Sequence, residues 1–158
     1  MDTLSLDASI AITGISRSTL WRRVTDGTIG RGEKDGRSRA MLALGDVLAL
    51  VEVKLSAEDR AMLLRADAGD AQAQADMGAL FYVAGAHKAA LYWLQEAAAQ
   101  DNADAMQWLG TAYAGGGGGI SQDDNLANNL AIMWLARAAA LGHRIAAYQL
   151  EQLRAGCR

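Results

Sequence analysis

Residues 90–99 read ALYWLQEAAA, and residues 131–140 read AIMWLARAAA. After a step of 41 residues, Ala90, Trp93, Leu94, Ala97, Ala98 and Ala99 recur as Ala131, Trp134, Leu135, Ala138, Ala139 and Ala140, and Ala105 recurs as Ala146. A second step, of 32 residues, sets Ala71, Ala73, Met77, Gly78 and Phe81 against Ala103, Ala105, Leu109, Gly110 and Tyr113. The steps differ because the second unit carries a glycine-rich insertion, Gly115 to Asn125, that the first lacks. Recurrence at this period, with apolar residues three and four apart, is the pattern of stacked helix pairs. A single pair is too small to bury its apolar face, so the pairs stack into an array. Arrays of this kind usually bind other proteins.

Working outward from the repeats, helices are expected at Ala71–Ala84, Lys88–Gln100, Ala103–Ala114, Asn125–Ala140 and Arg144–Ala155. Ser56-Ala57-Glu58-Asp59 resembles a capping box and opens a further helix to about Ala66. Ala66 lies 32 residues before Ala98, so this helix reads as the second half of a degenerate first unit, and the array is expected to span residues 56–158. Small residues such as Gly78 and Gly110 let backbones approach, while Trp93, Trp134, Phe81 and Tyr113 fill the core. Trp108 has Asp76 as its counterpart, and Tyr148 has Gln107 and Ala75. Positions that vary in this way are expected to face outward, where Trp108 and Tyr148 would anchor a protein partner. The bland alternative packs Trp108 against the glycine-rich insertion or the next helix.

The N-terminal residues 1–55 read differently. Leu6 to Thr13 form a short helix capped by Ser5 or Asp7, and Gly14 breaks it. Ser16 then caps a second helix, with Ile15 and Leu20 as a hydrophobic staple, Leu20 and Val24 inward, and Gly27 as its end. Ser18, Arg22 and Thr25 face outward. Arg17 stands in the first turn, where the helix dipole disfavours a cation. Thr28 to Leu42 reads as a basic hairpin, Ile29–Gly32 and Ser38–Leu42 around a turn at Lys34-Asp35-Gly36. A third helix is expected from Asp46 through Leu55. Seven basic residues between Arg17 and Arg39 (Arg17, Arg22, Arg23, Arg31, Lys34, Arg37, Arg39) meet only Asp26, Glu33 and Asp35, a local balance of +4. From Ser56 onward the balance is −4, so the overall −3 hides a basic patch joined to an acidic body.

The run Thr13-Gly14-Ile15-Ser16-Arg17-Ser18-Thr19-Leu20-Trp21-Arg22-Arg23-Val24, the basic hairpin and Asp46-Val47-Leu48 together resemble the winged helix-turn-helix of MerR-type, excisionase and AlpA-like proteins. That likeness implies contact with double-stranded DNA. Arg17, Ser18 and Arg22 would approach the major groove, Trp21 a phosphate, and the hairpin residues Arg31, Lys34, Arg37 and Arg39 the flanking backbone, with Arg23 in the same basic set. The pattern Ala105-x-x-x-Leu109-Gly110-x-x-Tyr113, a glycine-rich loop, then Ala131-x-x-Trp134-x-x-x-Ala138-Ala139-x-x-Gly142 resembles Sel1-like repeats, relatives of the tetratricopeptide class. The fold expected is therefore mostly α, a small winged helix-turn-helix followed by an α-α repeat array. The function expected is a DNA-binding regulator whose repeats bind a protein or pair two copies as a homodimer. The alternative is an adaptor that uses both halves for protein docking and binds no DNA.

Other function classes find no support in the residues. Gly115 to Gly119 is not followed by a lysine-serine or lysine-threonine pair, so it does not read as a phosphate loop. His87 and His143 lack metal-ligand spacing with each other or with Cys157, Asp123-Asp124 reads as a solvated pair, and no catalytic set stands out. Neither an enzyme nor a cofactor is expected. A single cysteine suits a reducing cytoplasm, and no window is long and apolar enough to span a membrane.

Overall fold

Residues 1–115 and 124–156 are described in a computed structural model of the chain. The fold is mostly α. Two compact units divide it, Met1–Ala68 and Gly69–Arg158. The glycine-rich insertion beyond Gly115, Asp123 and Cys157 lie outside the described residues.

The N-terminal unit begins with a strand, β1 (Thr3–Ser5), that the sequence pattern does not announce. Helices α1 (Leu6–Thr13) and α2 (Arg17–Thr25) follow where the capping residues place them. Ser5 accepts from the Ala8 amide and Ser16 from the Thr19 amide, each satisfying an N–H that the first helical turn leaves open. Gly14 joins the two helices at φ 69°, a left-handed conformation that costs a side-chain-bearing residue about 1 kcal/mol or more.

The expected hairpin differs in its return arm. The strand there is β2 (Met41–Ala43), which pairs antiparallel with β1, while the Ile29–Gly32 arm meets it through one bridge, Arg31 to Leu42. Residues 33–40 form a loop and not a strand. The Asp35 carboxylate accepts the Arg37 and Arg39 amides at 3.0 and 2.9 Å, so a side chain satisfies the donors that a ladder would have used.

The third helix, α3, runs only from Leu44 to Leu48, against the expected Asp46 to Leu55. Leu50 and Val51 donate to carbonyls three residues back, and the chain then leaves the helix. β-branched Val51 and Val53 favour this exit, because they lose rotamer freedom in a helix. Val47 is buried as expected; Leu48, Leu50 and Val51 are half-buried.

Helix α4 (Ala57–Asp67) starts with the capping box formed by Ser56 and Asp59. It packs on β1 within the N-terminal unit. It is thus not part of the repeat unit, and the boundary expected at residues 55/56 lies after Ala68. The reason is a buried link. Asp67 accepts the Ser5 amide at 2.7 Å and the Ser5 hydroxyl at 2.6 Å.

The second unit holds α5 (Ala71–Val83), α6 (His87–Ala98), α7 (Ala103–Ala114), α8 (Asp124–Ala140) and α9 (Arg144–Gly156). α5 packs on α6, and α7 packs on α8. Both pairs are built on one close approach. A Cβ at Gly78 would lie 2.5 Å from Leu94 Cγ, and one at Gly110 would lie 2.5 Å from Leu135 Cγ. The caps repeat with the same steps of 32 and 41. Asp70 accepts the Ala73 amide at 3.1 Å, Asn102 the Ala105 amide at 2.9 Å, and His143 Nδ1 the Ala146 amide at 3.2 Å. Helix α9 is therefore the counterpart of α5 and α7.

Trp93 and Trp134 occupy repeat-equivalent sites but differ in burial. Trp93 is 1% exposed, as expected of a core ring, whereas Trp134 is only partly buried. The Arg137 guanidinium lies 5.0 Å from the Trp134 ring centroid and covers one face of it.

Candidate nucleic-acid interface

Helix α2 presents the face expected to read DNA. Leu20 is buried and Val24 half-buried on the inner side, so Ser18, Trp21, Arg22 and Thr25 stand exposed on the outer side. Trp21 retains 38% of its surface, and the Arg31 guanidinium lies over its ring, 5.1 Å from the centroid. That contact ties the first arm of the hairpin to the outer face of α2. Beside the start of α2 lies an open groove of about 660 Å³ lined by Leu6, Ser16, Arg17, Ser18 and Trp21.

The seven basic residues divide into two groups. Arg17 is held by Asp7 across the α1–α2 turn, both side chains being exposed. Arg39 is held from two sides, by Asp35 at 2.7 Å and by Asp67 at 2.9 Å, and it also donates to the Asp67 carbonyl. Arg37 donates to the Ala68 carbonyl at 3.0 Å, close to the end of α4. Arg37 and Arg39 thus tie the loop to the end of α4, while the exposed Arg17–Asp7 pair adds little stability. Among the described residues no carboxylate forms an ion pair with Arg22, Arg23, Arg31 or Lys34.

Two carboxylates temper the patch. A hydrogen bond from the Thr28 hydroxyl, then one from its amide, holds Asp26 below its ordinary range, with Arg23 and Arg22 adding attraction. Asp35 is lowered first by the Arg39 amide and then by the Arg39 side chain. Opposed to burial, hydrogen bonds to Asp35 and the nearby Asp67 charge raise Arg39 further above its already high value. All three groups are charged near neutrality, so Asp26 subtracts from the field of Arg22 and Arg23, and Asp35 and Asp67 neutralise Arg39.

The two residues expected to anchor a protein are placed differently from each other. Trp108 is half-buried, its ring tilted against Tyr82 at 5.5 Å, and Tyr82 in turn meets His87 edge-on. Tyr148 on α9 is 64% exposed. The polar Gln107 next to Trp108 bonds Gln149 of α9 at 2.9 Å. Among the described residues, no group of His, Cys, Asp and Glu side chains is suited to hold a metal, and no helix is long and apolar enough to cross a membrane.

Reading residues along the chain missed the Ser5–Asp67–Arg39 link, whose members are 62 and 28 positions apart. One signal was available. Asp67 is the acidic residue at the end of a helix, where the dipole disfavours it without a cationic partner. No family model, curated protein or solved structure matches the chain.

Proposed function

We propose that the N-terminal unit binds double-stranded DNA through the outer face of α2, and that the repeat unit brings a protein partner or a second copy to it, making the chain a non-enzymatic regulator. The observation that carries this reading is the exposed set Ser18, Trp21 and Arg22, with Arg31 laid on Trp21 and no carboxylate paired to either arginine among the described residues. Exposed, unpaired guanidinium groups on a short helix after a tight turn suit base-edge and phosphate contacts together. Ser18 and Arg22 would read bases, while Arg23, Arg31 and Lys34 would neutralise backbone charge, and Trp21 would hold Arg31 in position.

Salt dependence of binding tests this division. If Arg23, Arg31 and Lys34 meet phosphates while Arg22 reads bases and the other three basic residues stay on their own partners, log K should fall against log salt with a slope of about −2.7. Engagement of all seven would steepen it to about −6. Fluorescence anisotropy on duplex fragments supplies the measurement. Arg22→Ala should lose discrimination between sequences, and Arg31→Ala should weaken all sequences alike. Absence of binding at low salt would refute the DNA reading.

A second reading has its own observation. Arg17, Arg37 and Arg39 are already engaged by Asp7, the Ala68 carbonyl, Asp35 and Asp67. A basic surface with those members withdrawn also suits an acidic protein surface, which is the adaptor alternative. Binding of an acidic peptide in place of duplex would favour it.

A further inference from the structure

Ile145 and Tyr148 on α9 are 61% and 64% exposed, the most open pair of large apolar side chains on any one helix of the repeat unit. The preceding helices of the same kind, α5 and α7, are each covered by a following helix that seats a leucine against Gly78 or Gly110. The same step places Glu151 at that position of α9. Glu151 is exposed, and its side chain fills the space a leucine would need. The repeat pattern therefore stops being compatible with another helix of its own kind at α9, while leaving apolar surface open.

We propose that this face of α9 pairs antiparallel with α9 of a second copy of the chain about a two-fold axis near Tyr148. The residues around Tyr148 are self-complementary in that arrangement. Arg144 and Glu151 lie two helical turns apart on one flank, and Ile145 and Gln152 lie two turns apart on the other, all of them exposed. A two-fold axis reverses the helix direction but leaves each flank beside its own copy. Arg144 then faces Glu151 of the second copy, and Glu151 faces its Arg144. Tyr148 meets Tyr148 at the axis, where the rings stack in an offset or edge-on manner.

Arg144 supplies a second line of support. It stands in the first turn of α9, which has no acidic residue, so a cation faces the positive end of the helix dipole. Glu151 of a second copy removes that conflict by placing a carboxylate against both the guanidinium and the helix start. Among the described residues neither Arg144 nor Glu151 has an ion-pair partner of its own.

The pairing rests on the associating role given to the repeat unit and is independent of DNA binding, so it is measured with the full chain and no nucleic acid. Sedimentation equilibrium should show the mass rising from 16.7 kDa toward twice that value as concentration increases. Arg144→Glu and Glu151→Arg should each weaken association at least about tenfold, since like charges then oppose one another at both ends of the interface. The double variant carrying both changes should recover the wild-type dissociation constant within about threefold. Tyr148→Glu should leave the chain monomeric, with circular dichroism confirming that each variant stays helical. A wild-type chain that keeps its monomer mass at concentrations on the order of hundreds of micromolar would overturn the proposal. So would dimers indifferent to the single changes, or a double variant that does not recover.

Discussion

Gly78→Ala and Gly110→Ala set two effects of opposite sign against each other. Alanine is favoured over glycine inside a helix by about 0.8–1.0 kcal/mol, so helix propensity alone makes both variants more stable. The close approach says otherwise. A methyl at residue 78 would lie 2.5 Å from both Leu94 Cγ and Leu94 Cδ2, and 3.2 Å from the Leu94 backbone nitrogen. Carbon atoms in good contact stand about 3.5–4.0 Å apart, so the leucine or the helix carrying it must retreat by about 1 Å. Leu94 is 1% exposed, so a shifted side chain must displace other core groups and not water. Overpacking of this kind costs about 1–3 kcal/mol, and together with the clash against backbone it outweighs propensity, leaving each variant destabilised by about 1–2 kcal/mol. Residue 110 should behave the same way, because its methyl would meet Leu135 Cγ and Cδ2 at the same 2.5 Å and Leu135 is also 1% exposed. Urea melts of the full chain, followed by amide resonances of the repeat unit, give the stability. Adding Leu94→Ala to Gly78→Ala should cost less than Leu94→Ala costs in the wild type, since the methyl partly fills the vacated space. A Gly78→Ala chain as stable as wild type would refute the overpacking argument, and a pair of glycine variants with opposite signs would refute the equivalence of the two helix pairs.

Asp67→Ala should destabilise the N-terminal unit by about 3 kcal/mol, at the low end for a broken buried pair because Arg39 is partly exposed; a melt unchanged from wild type would remove α4 from that unit. Asp67→Asn should recover part of the loss by keeping an acceptor for the Ser5 amide. Trp93→Ala should cost about 3–5 kcal/mol, and Trp134→Ala clearly less, since only the first ring is fully enclosed. Trp108→Ala should cost about 1 kcal/mol or more through its contact with Tyr82, and a loss under about 0.5 kcal/mol would make it a free surface ring. Acid should loosen the hairpin loop. The Asp35 carboxyl is lowered in the folded chain, so its contribution is present above the ordinary carboxylate range and is lost as pH falls through and below it. Asp35→Asn should flatten that acid limb in a series of melting temperatures, and an unchanged limb would show that the loop does not depend on this charge.

Local spacing was enough to establish much of this protein. The repeat steps placed α5 through α9 within a residue or two, and Ser16 and Gly14 marked where α2 begins and α1 ends. Those features depend on neighbours three or four positions away, and helix geometry makes such neighbours meet in any context. The outer face of α2 was legible for the same reason, since Leu20 and Val24 orient the helix and leave Ser18 and Arg22 outside. What only the tertiary structure decided involves partners far apart in the chain. Arg39 reads as a surface cation until Asp67, 28 positions later, reaches it, and the same Asp67 binds Ser5 and draws α4 into the N-terminal unit. Trp134 reads exactly as Trp93 does, yet its burial depends on what packs against it and not on its own helix. Periodicity states which side of a helix is apolar; the neighbours it meets determine how much of that side leaves water, and which charges find a partner.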